Sequence, residues 1–312
     1  MTSGRPLVSF IIVTYNNADS IVSCLHSVCA LTTCPYEISV IDNSPGDDTC
    51  RVVKDFQAAH PEANLSVHKS PMNIGFGKAC NLGVQFTTGE YLFFLNPDTR
   101  ILNDAALTLI ECLRRQPNSI AAGPRILDAQ GRITRTCRNL PNVTRVILDA
   151  TGMDALLGKY RLTRFAHNIP RSVEQIIGAA MLVRRSDFES VGGMDERFFV
   201  YFEEVDLCKR LEDGGGEIWF WPQAAVQHLA GISCEADSTR ARMIFVLRES
   251  RRKYFAKHFG TSASIVLDII NRLEALEKLS VLCVLWLLRR SRNDRAKING
   301  FWAVATGNAS RL

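Results

Sequence analysis

The chain has no CxxC pair; Cys24, Cys29 and Cys34 fall five apart and the other cysteines are scattered singly. That spacing signals neither a zinc site nor a disulfide framework, and most of them read as small core residues of a reduced, cytosolic protein. A GxGxxG loop is missing where it should follow the first apolar run, because Thr14-Tyr15-Asn16-Asn17 stands there instead. Its absence disfavours a dinucleotide-binding oxidoreductase. The opening MTSGRPLVSF has no basic segment leading into an apolar one and a cleavage site, so no secretory signal is expected. Leu279 to Leu288 is nearly all apolar but too short to span a bilayer. No excess of one sign of charge is present beyond a mild net +5, and no nucleic-acid partner is expected.

With 46% of its 312 residues apolar, the chain has enough material for a sizeable core. One large domain over residues 1–239 and a basic, amphipathic helical region over 240–312 are expected. Val8–Val13 is a β-branched run followed by a polar loop, then by Ile21, Cys24, Leu25 and Val28 at helical spacing. Ile38–Ile41 repeats the device, ending at Asp42-Asn43-Ser44. Leu65–His68 and Tyr91–Leu95 are further strands, and Asp104–Arg115 is a helix closed by Pro117. Strands alternating with helices imply an α/β fold with a mainly parallel, Rossmann-like sheet. Residues 125–170 mix arginines with glycine and proline without clear period and read as an irregular basic excursion over the site. Gly178–Val183 is a strand with small residues at its front, and Glu203–Leu211 a helix. Ile218–Trp221 and Ala225–His228 are extended segments around Pro222.

The most informative stretch is Asn73–Arg100, in which a glycine-punctuated turn and a helix lead to an apolar strand that stops at Asn96-Pro97-Asp98. Proline cannot donate to a ladder, so pairing is expected to end there, leaving Asp98 and Thr99 in the loop past the strand's carboxyl end. Open α/β sheets bind ligands in that crevice. Taken alone, Asp98 is as readily a turn starter. Asn73, Gly75 and Gly77 allow the chain to pass close to a ribose or phosphate, or merely make a turn. Taken alone, Glu203, Glu204 and Asp206 read as first-turn acids that counter a helix dipole.

In order along the chain, VSFIIVTYNNADSI, VIDNSPGDDT, NIGFGKACNLGV, GEYLFFLNPDTRI and GGMDERFFVYFEEVDLCKRL resemble the successive motifs of family 2 glycosyltransferases of the GT-A fold, in particular the rhamnosyltransferase-like branch. The similarity covers roughly residues 7–235. It implies a hexosyltransferase that moves a sugar, with inversion, from a nucleotide diphosphate donor to a hydroxyl of a glycan or polyprenyl-linked glycan in cell-surface polysaccharide synthesis. dTDP-L-rhamnose is the implied donor, with UDP-sugars next, and a divalent metal, Mn²⁺ or Mg²⁺, is the implied cofactor.

Cleaving a glycosyl diphosphate develops negative charge on the leaving oxygens, which calls for a cation there. The resemblance puts Asp98 on that metal, with Asn96 where the family usually has a first aspartate, and His228 as the second metal-side residue. An imidazole suits Mn²⁺ better than Mg²⁺. Inversion needs a base on the opposite face of the sugar. The family's acidic pair maps onto Glu203 and Glu204, the second being the base. Asp42 resembles the carboxylate that accepts from the pyrimidine ring, flanked by Thr14 and Tyr15. Lys78 joins Asn73, Gly75, Asn96 and Asp98 on the donor side, and Asp195 and Glu196 line the acceptor side. Two other readings stay open, a degenerate transferase that binds nucleotide-sugar without turnover and a sugar-phosphate nucleotidyltransferase. Residues 261–290 read equally as a helix lying on an anionic membrane surface and as one packed on the domain or on a second subunit in a homodimer. The expected location is cytoplasmic, peripheral on the inner face of the membrane.

Overall fold

The computed structural model describes residues 7–229, 237–289 and 292–308. Runs of β-branched and aromatic residues without charge become the central strands, since such runs can be buried on both faces. β1 (Val8–Thr14) and β4 (Tyr91–Leu95) are buried at every position. Helices fill the gaps: α1 (Ala18–Leu31) leads to β2 (Tyr36–Asp42), α2 (Asp48–Ala59) to β3 (Leu65–Lys69), and α3 (Phe76–Gln85) to β4. After β4 come β5 (Thr99–Ile101), α4 (Ala105–Arg115), β6 (Ser119–Leu127), β7 (Ile133–Thr134), α5 (Val143–Ala150) and α6 (Asp154–Leu157). The chain continues through β8 (Arg171–Val173), β9 (Ala180–Arg184), α7 (Arg185–Ser190), α8 (Glu203–Asp213) and β10 (Glu217–His228), then α9 (Asp237–Arg289) and α10 (Arg292–Thr306).

The strands form one sheet in the order β3-β2-β1-β4-β9-β6-β10-β5. β3, β2, β1 and β4 pair in parallel, as do β6 and β10, whereas β9 runs against both β4 and β6. Most of the path therefore shares one direction, and the loops after β1, β2 and β4 emerge at the same edge. Phe10, Ile12, Phe93, Leu95 and Leu182 pack with Ile21, Leu25, Leu109 and Ile110 of α1 and α4 in the core. Each such side chain contributes roughly 1.5–3 kcal/mol by leaving water.

Three departures from the sequence reading matter for function. Thr99 starts a strand instead of extending the loop, and β5 pairs antiparallel with the end of β10, setting His228 opposite Thr99. The two extended segments around Pro222 are one strand with an irregularity between Trp221 and Ala225, the kind of place where a sheet tolerates proline. The stretch expected to be irregular over residues 125–170 contains the end of β6, β7, α5 and α6. Asn142 caps α5 by accepting from the Arg145 N–H at 2.9 Å.

The chain divides into two compact units. One comprises Met1–Leu140, Leu162–Glu196 and Glu203–Ser233 and holds the sheet. The other comprises Pro141–Arg161, Arg197–Phe202 and Cys234–Leu312 and is helical, with α9 broken at Gly260 (φ 83°) and packed on α10. Among the described residues no helix is long and apolar enough to cross a membrane. The side chains of Arg289, Arg290 and Arg292, part of the basic end noted in the sequence, lie outside the described residues.

Candidate active site at the carboxyl edge of the sheet

β1 and β2 end in register, Thr14 beside Asp42, and the Thr14 hydroxyl donates to Asp42 Oδ1 at 3.0 Å. The same oxygen accepts from the Ser44 backbone N–H at 3.0 Å and from its hydroxyl at 2.5 Å. Asp42 Oδ2 accepts from Lys69 Nζ at 3.0 Å, and that ammonium also donates to the Ser44 carbonyl at 2.6 Å and to the Gly46 carbonyl. Asp42 is fully buried and thus arrives as the organising anion of its loop. Asn43 ties a third segment in, donating from Nδ2 to the Gly75 carbonyl at 3.1 Å. The Gly75 N–H donates to Asn73 Oδ1 at 3.0 Å, and at φ 88° this position favours glycine. Tyr15 is 39% exposed at the mouth, its N–H donating to Asn17 Oδ1 at 2.9 Å.

Neither Lys69 nor Asn43 stood out in the sequence. A signal for the lysine existed, since Asp42 and Lys69 are register partners at the ends of β2 and β3. Finding it required the strand pairing.

Beyond β4, Asp98 and His228 come together, Nε2 standing 3.1 Å from Oδ1. The Leu229 N–H donates to the Asp98 carbonyl at 3.0 Å. Both side chains are mostly shielded, at 10% and 15% exposure. Behind them Cys24 Sγ lies 3.8 Å from Thr99 Oγ1. Burial pushes that thiol up to about 12, so it offers no thiolate. Among the described residues no group of three or more His, Cys, Asp or Glu is placed to hold a metal. One carboxylate oxygen beside one imidazole fits a divalent cation that arrives with a diphosphate better than a resident ion with a complete protein cage.

Asn96 and Glu204 lie against adjoining residues at the front of β9. The Asn96 N–H donates to the Ala179 carbonyl at 2.9 Å, while a Cβ built on Gly178 would stand 3.3 Å from Glu204 Cβ. The small residues anticipated there let the head of α8 approach. Helix α8 begins at Glu203, right after Tyr201 and Phe202, both at positive φ (66° and 71°), a strained pair of the kind concentrated at functional sites. Glu203 turns the other way, toward α3, where a Cβ on Gly77 would meet its Cβ at 3.4 Å. It is buried and its Oε2 has no hydrogen-bond partner among the described residues. Loss of water, with the Glu204 charge adding to it, pushes the Glu203 carboxyl well above the usual carboxylate range.

Lys78 stands 3.6 Å from Glu196. Asn81, which the sequence reading passed over, holds the same loop, donating to Glu196 Oε1 at 3.2 Å and exchanging hydrogen bonds with the Met194 backbone. Asp195, half-buried, follows Met194. Asp206 is buried and accepts from Arg210 Nε at 2.7 Å, and Arg210 also donates to the Val191 carbonyl at 2.6 Å. That pair braces the Gly192-Gly193 turn.

A mainly parallel sheet with anchored acidic loops at its carboxyl edge, faced by the carboxylate pair that opens α8, is the frame of an α/β protein that binds its ligand at that edge. A family model described as "Glycosyl transferase family 2" matches residues 9–192, and the chain belongs to that family. A second, described as "N-terminal domain of galactosyltransferase", matches residues 161–231. The N-acetylglucosaminyl-diphospho-decaprenol L-rhamnosyltransferase of Mycobacterium tuberculosis is 29% identical over 249 residues, 73% of this chain and 76% of that one. The rhamnosyltransferase WbbL of Escherichia coli is 28% identical over 166 residues, 50% of this chain and 61% of that one. Among solved structures, the mannosyltransferase PcManGT of Pyrobaculum calidifontis, in complex with GDP-Man and Mn²⁺, superposes with a TM-score of 0.58 at 15% identity, covering 98% of this chain and 88% of that one. GalNAc-T7 with UDP, GalNAc and Mn²⁺ gives 0.56 at 17% identity, covering 81% of this chain and 50% of that chain. The resemblance to the rhamnosyltransferase-like branch and to the GT-A fold stands: the protein is a glycosyltransferase of polysaccharide synthesis.

Proposed function

We propose that the enzyme transfers L-rhamnose from dTDP-L-rhamnose, with inversion, to a hydroxyl of a polyprenyl-linked glycan at the inner face of the cytoplasmic membrane. UDP-sugars are the next donors to consider. The reading is supported by the names of the relatives from Mycobacterium tuberculosis and Escherichia coli. The observation that carries its chemistry is the front of β9, where adjoining residues Gly178 and Ala179 touch Glu204 and Asn96. The candidate base and the Asn96-Pro97-Asp98 loop thereby share one rim.

In this reading Asp42, Thr14 and Tyr15 receive the pyrimidine, and Asn73, Gly75 and Lys78 the ribose and phosphates. Asp98 and His228 would hold a divalent cation, which supplies neutralisation of the charge on the leaving diphosphate. Asp195 and Glu196 line the acceptor side. The acceptor hydroxyl gives its proton to Glu204, favoured as an anion at a helix start. Its oxygen bonds to the anomeric carbon from the face opposite the diphosphate. The electron pair of the broken carbon–oxygen bond departs with the nucleoside diphosphate.

A donor panel read by mass spectrometry tests the substrate. Transfer from dTDP-L-rhamnose alone is expected; preference for another nucleotide-sugar would replace the donor assignment. Glu204→Gln should bind donor normally and lose roughly 10²–10⁴-fold in transfer. Retained transfer would put the base elsewhere. Asp98→Ala should abolish the metal-dependent part of the activity. Donor binding without release of nucleoside diphosphate would indicate a scaffold, and release of pyrophosphate from a nucleoside triphosphate a nucleotidyltransferase.

A further inference from the structure

The helical unit contains a cavity of about 270 Å³ between the two arms of α9 and the end of α10, whose charged and polar lining is Arg248, Glu249, Arg252, Asp268, Asn271 and Arg272. Guanidinium groups outnumber carboxylates around it. Arg248 and Arg251 converge on one acid, Glu274, at 2.6 and 3.9 Å, and on one amide oxygen, Asn271 Oδ1, at 3.0 and 3.1 Å. Arg252 and Arg272 each have an acid of their own, Glu249 and Asp268. Arg251 is buried behind the cavity and Arg248 lines it, mostly shielded, and two such cations sharing one carboxylate are under-compensated. Burial and the Arg248 charge both depress Arg251. An anion in the cavity would relieve that imbalance through Arg248, the member of the pair that lines it.

The same arm of α9 carries an apolar stripe. Ile265, Ile269, Leu273, Leu276, Val284 and Leu287 are each 54–61% exposed. They recur at helical spacing over about 33 Å, a larger apolar face than soluble proteins ordinarily leave in water. Arg272, on the cavity rim, shares a turn with Ile269, Leu273 and Leu276. The anion-seeking cavity and the apolar stripe are therefore neighbouring faces of one helix.

We infer that this arm of α9 is a docking face for an anionic phospholipid surface. A lipid phosphate enters the arginine-lined cavity, and the stripe sinks among the acyl chains. Only a phosphate-bearing lipid answers both features. A second copy seated on the stripe would bring two cationic cavities together. Docking is separate from transfer chemistry, so an enzyme without turnover would still dock.

Cosedimentation of the full chain with phosphatidylcholine vesicles, with and without phosphatidylglycerol, tests this. Binding to the phosphatidylglycerol vesicles alone is expected. Arg252→Gln with Arg272→Gln should weaken it roughly fivefold per arginine, whereas Arg252→Lys with Arg272→Lys should retain it. Leu273→Ser with Leu276→Ser, on the exposed face, should weaken it without touching the cavity. Equal binding to both vesicle types, or indifference to both double variants, would overturn the inference. So would stabilisation by inorganic phosphate without vesicle binding, which marks a free-anion site. A concentration-dependent dimer dispersed by the leucine double variant, again without vesicle binding, would assign the face to a second copy.

Discussion

Asp42 and Glu203 are both withdrawn from water, and the structure treats them oppositely. Asp42 is met by two hydroxyls and a backbone N–H at Oδ1 and by an ammonium at Oδ2, so a buried charge there is paid for by donors already in place. Glu203 has its Oε2 without a hydrogen-bond partner among the described residues and the like charge of Glu204 beside it, and its carboxyl is pushed well above the usual carboxylate range. The difference separates two roles that look alike in sequence. A saturated anion orders the loops around a ligand, while an acid withdrawn from water beside a like charge, in the helix's first residue, resists ionisation.

Breaking the saturated side should have the largest effect. Lys69→Met strands the Asp42 charge and should cost about 3 kcal/mol of stability, read as a lowered midpoint in urea, with a raised KM for the donor. Unchanged stability and KM would mean that Asp42 needs no cation. Gly178→Ala comes next. Its methyl group, 3.3 Å from Glu204 Cβ, should shift that carboxylate by a few tenths of an ångström and lower kcat about tenfold with little change in donor KM. A kcat at the wild-type level would detach Glu204 from the front of β9.

The smallest effect on transfer is expected from Glu203→Gln, an amide that imitates the protonated acid. Activity should be retained, in contrast to Glu204→Gln. The informative readout is Tm against pH. Because the folded-state pKa of Glu203 is raised, the unfolded chain ionises first, near pH 4.3. Its contribution to stability is complete below that point and is lost as pH rises through the folded value. Glu203→Gln should remove that decline and be the more stable protein at neutral pH. Parallel Tm profiles for the two proteins would show that Glu203 is charged in the fold.

Much of this was legible before any coordinates. Val8–Val13, Ile38–Ile41 and Tyr91–Leu95 announce buried strands, because apolar runs of that length bounded by polar turns have few other uses. The polar residues that follow them mark the functional edge. Thr99–Ile101 was not legible, since three residues carry no period, and β5 exists only because β10 supplies a partner. The Asp98–His228 contact depends on that pairing, which closes a loop of 130 residues. The stripe on α9 showed its amphipathic period in sequence, yet whether that face would be buried did not follow from the spacing.

What the sequence by itself determined is the order of strands and helices and the polar residues that end each strand, because local hydrophobic period and turn chemistry are properties of neighbours along the chain. The tertiary structure alone decided that Lys69 neutralises Asp42, that His228 reaches Asp98, and that Glu203 turns toward α3 while Glu204 packs against Gly178 at the front of β9. Those outcomes depend on register and burial, which arise only when segments distant in sequence pack together.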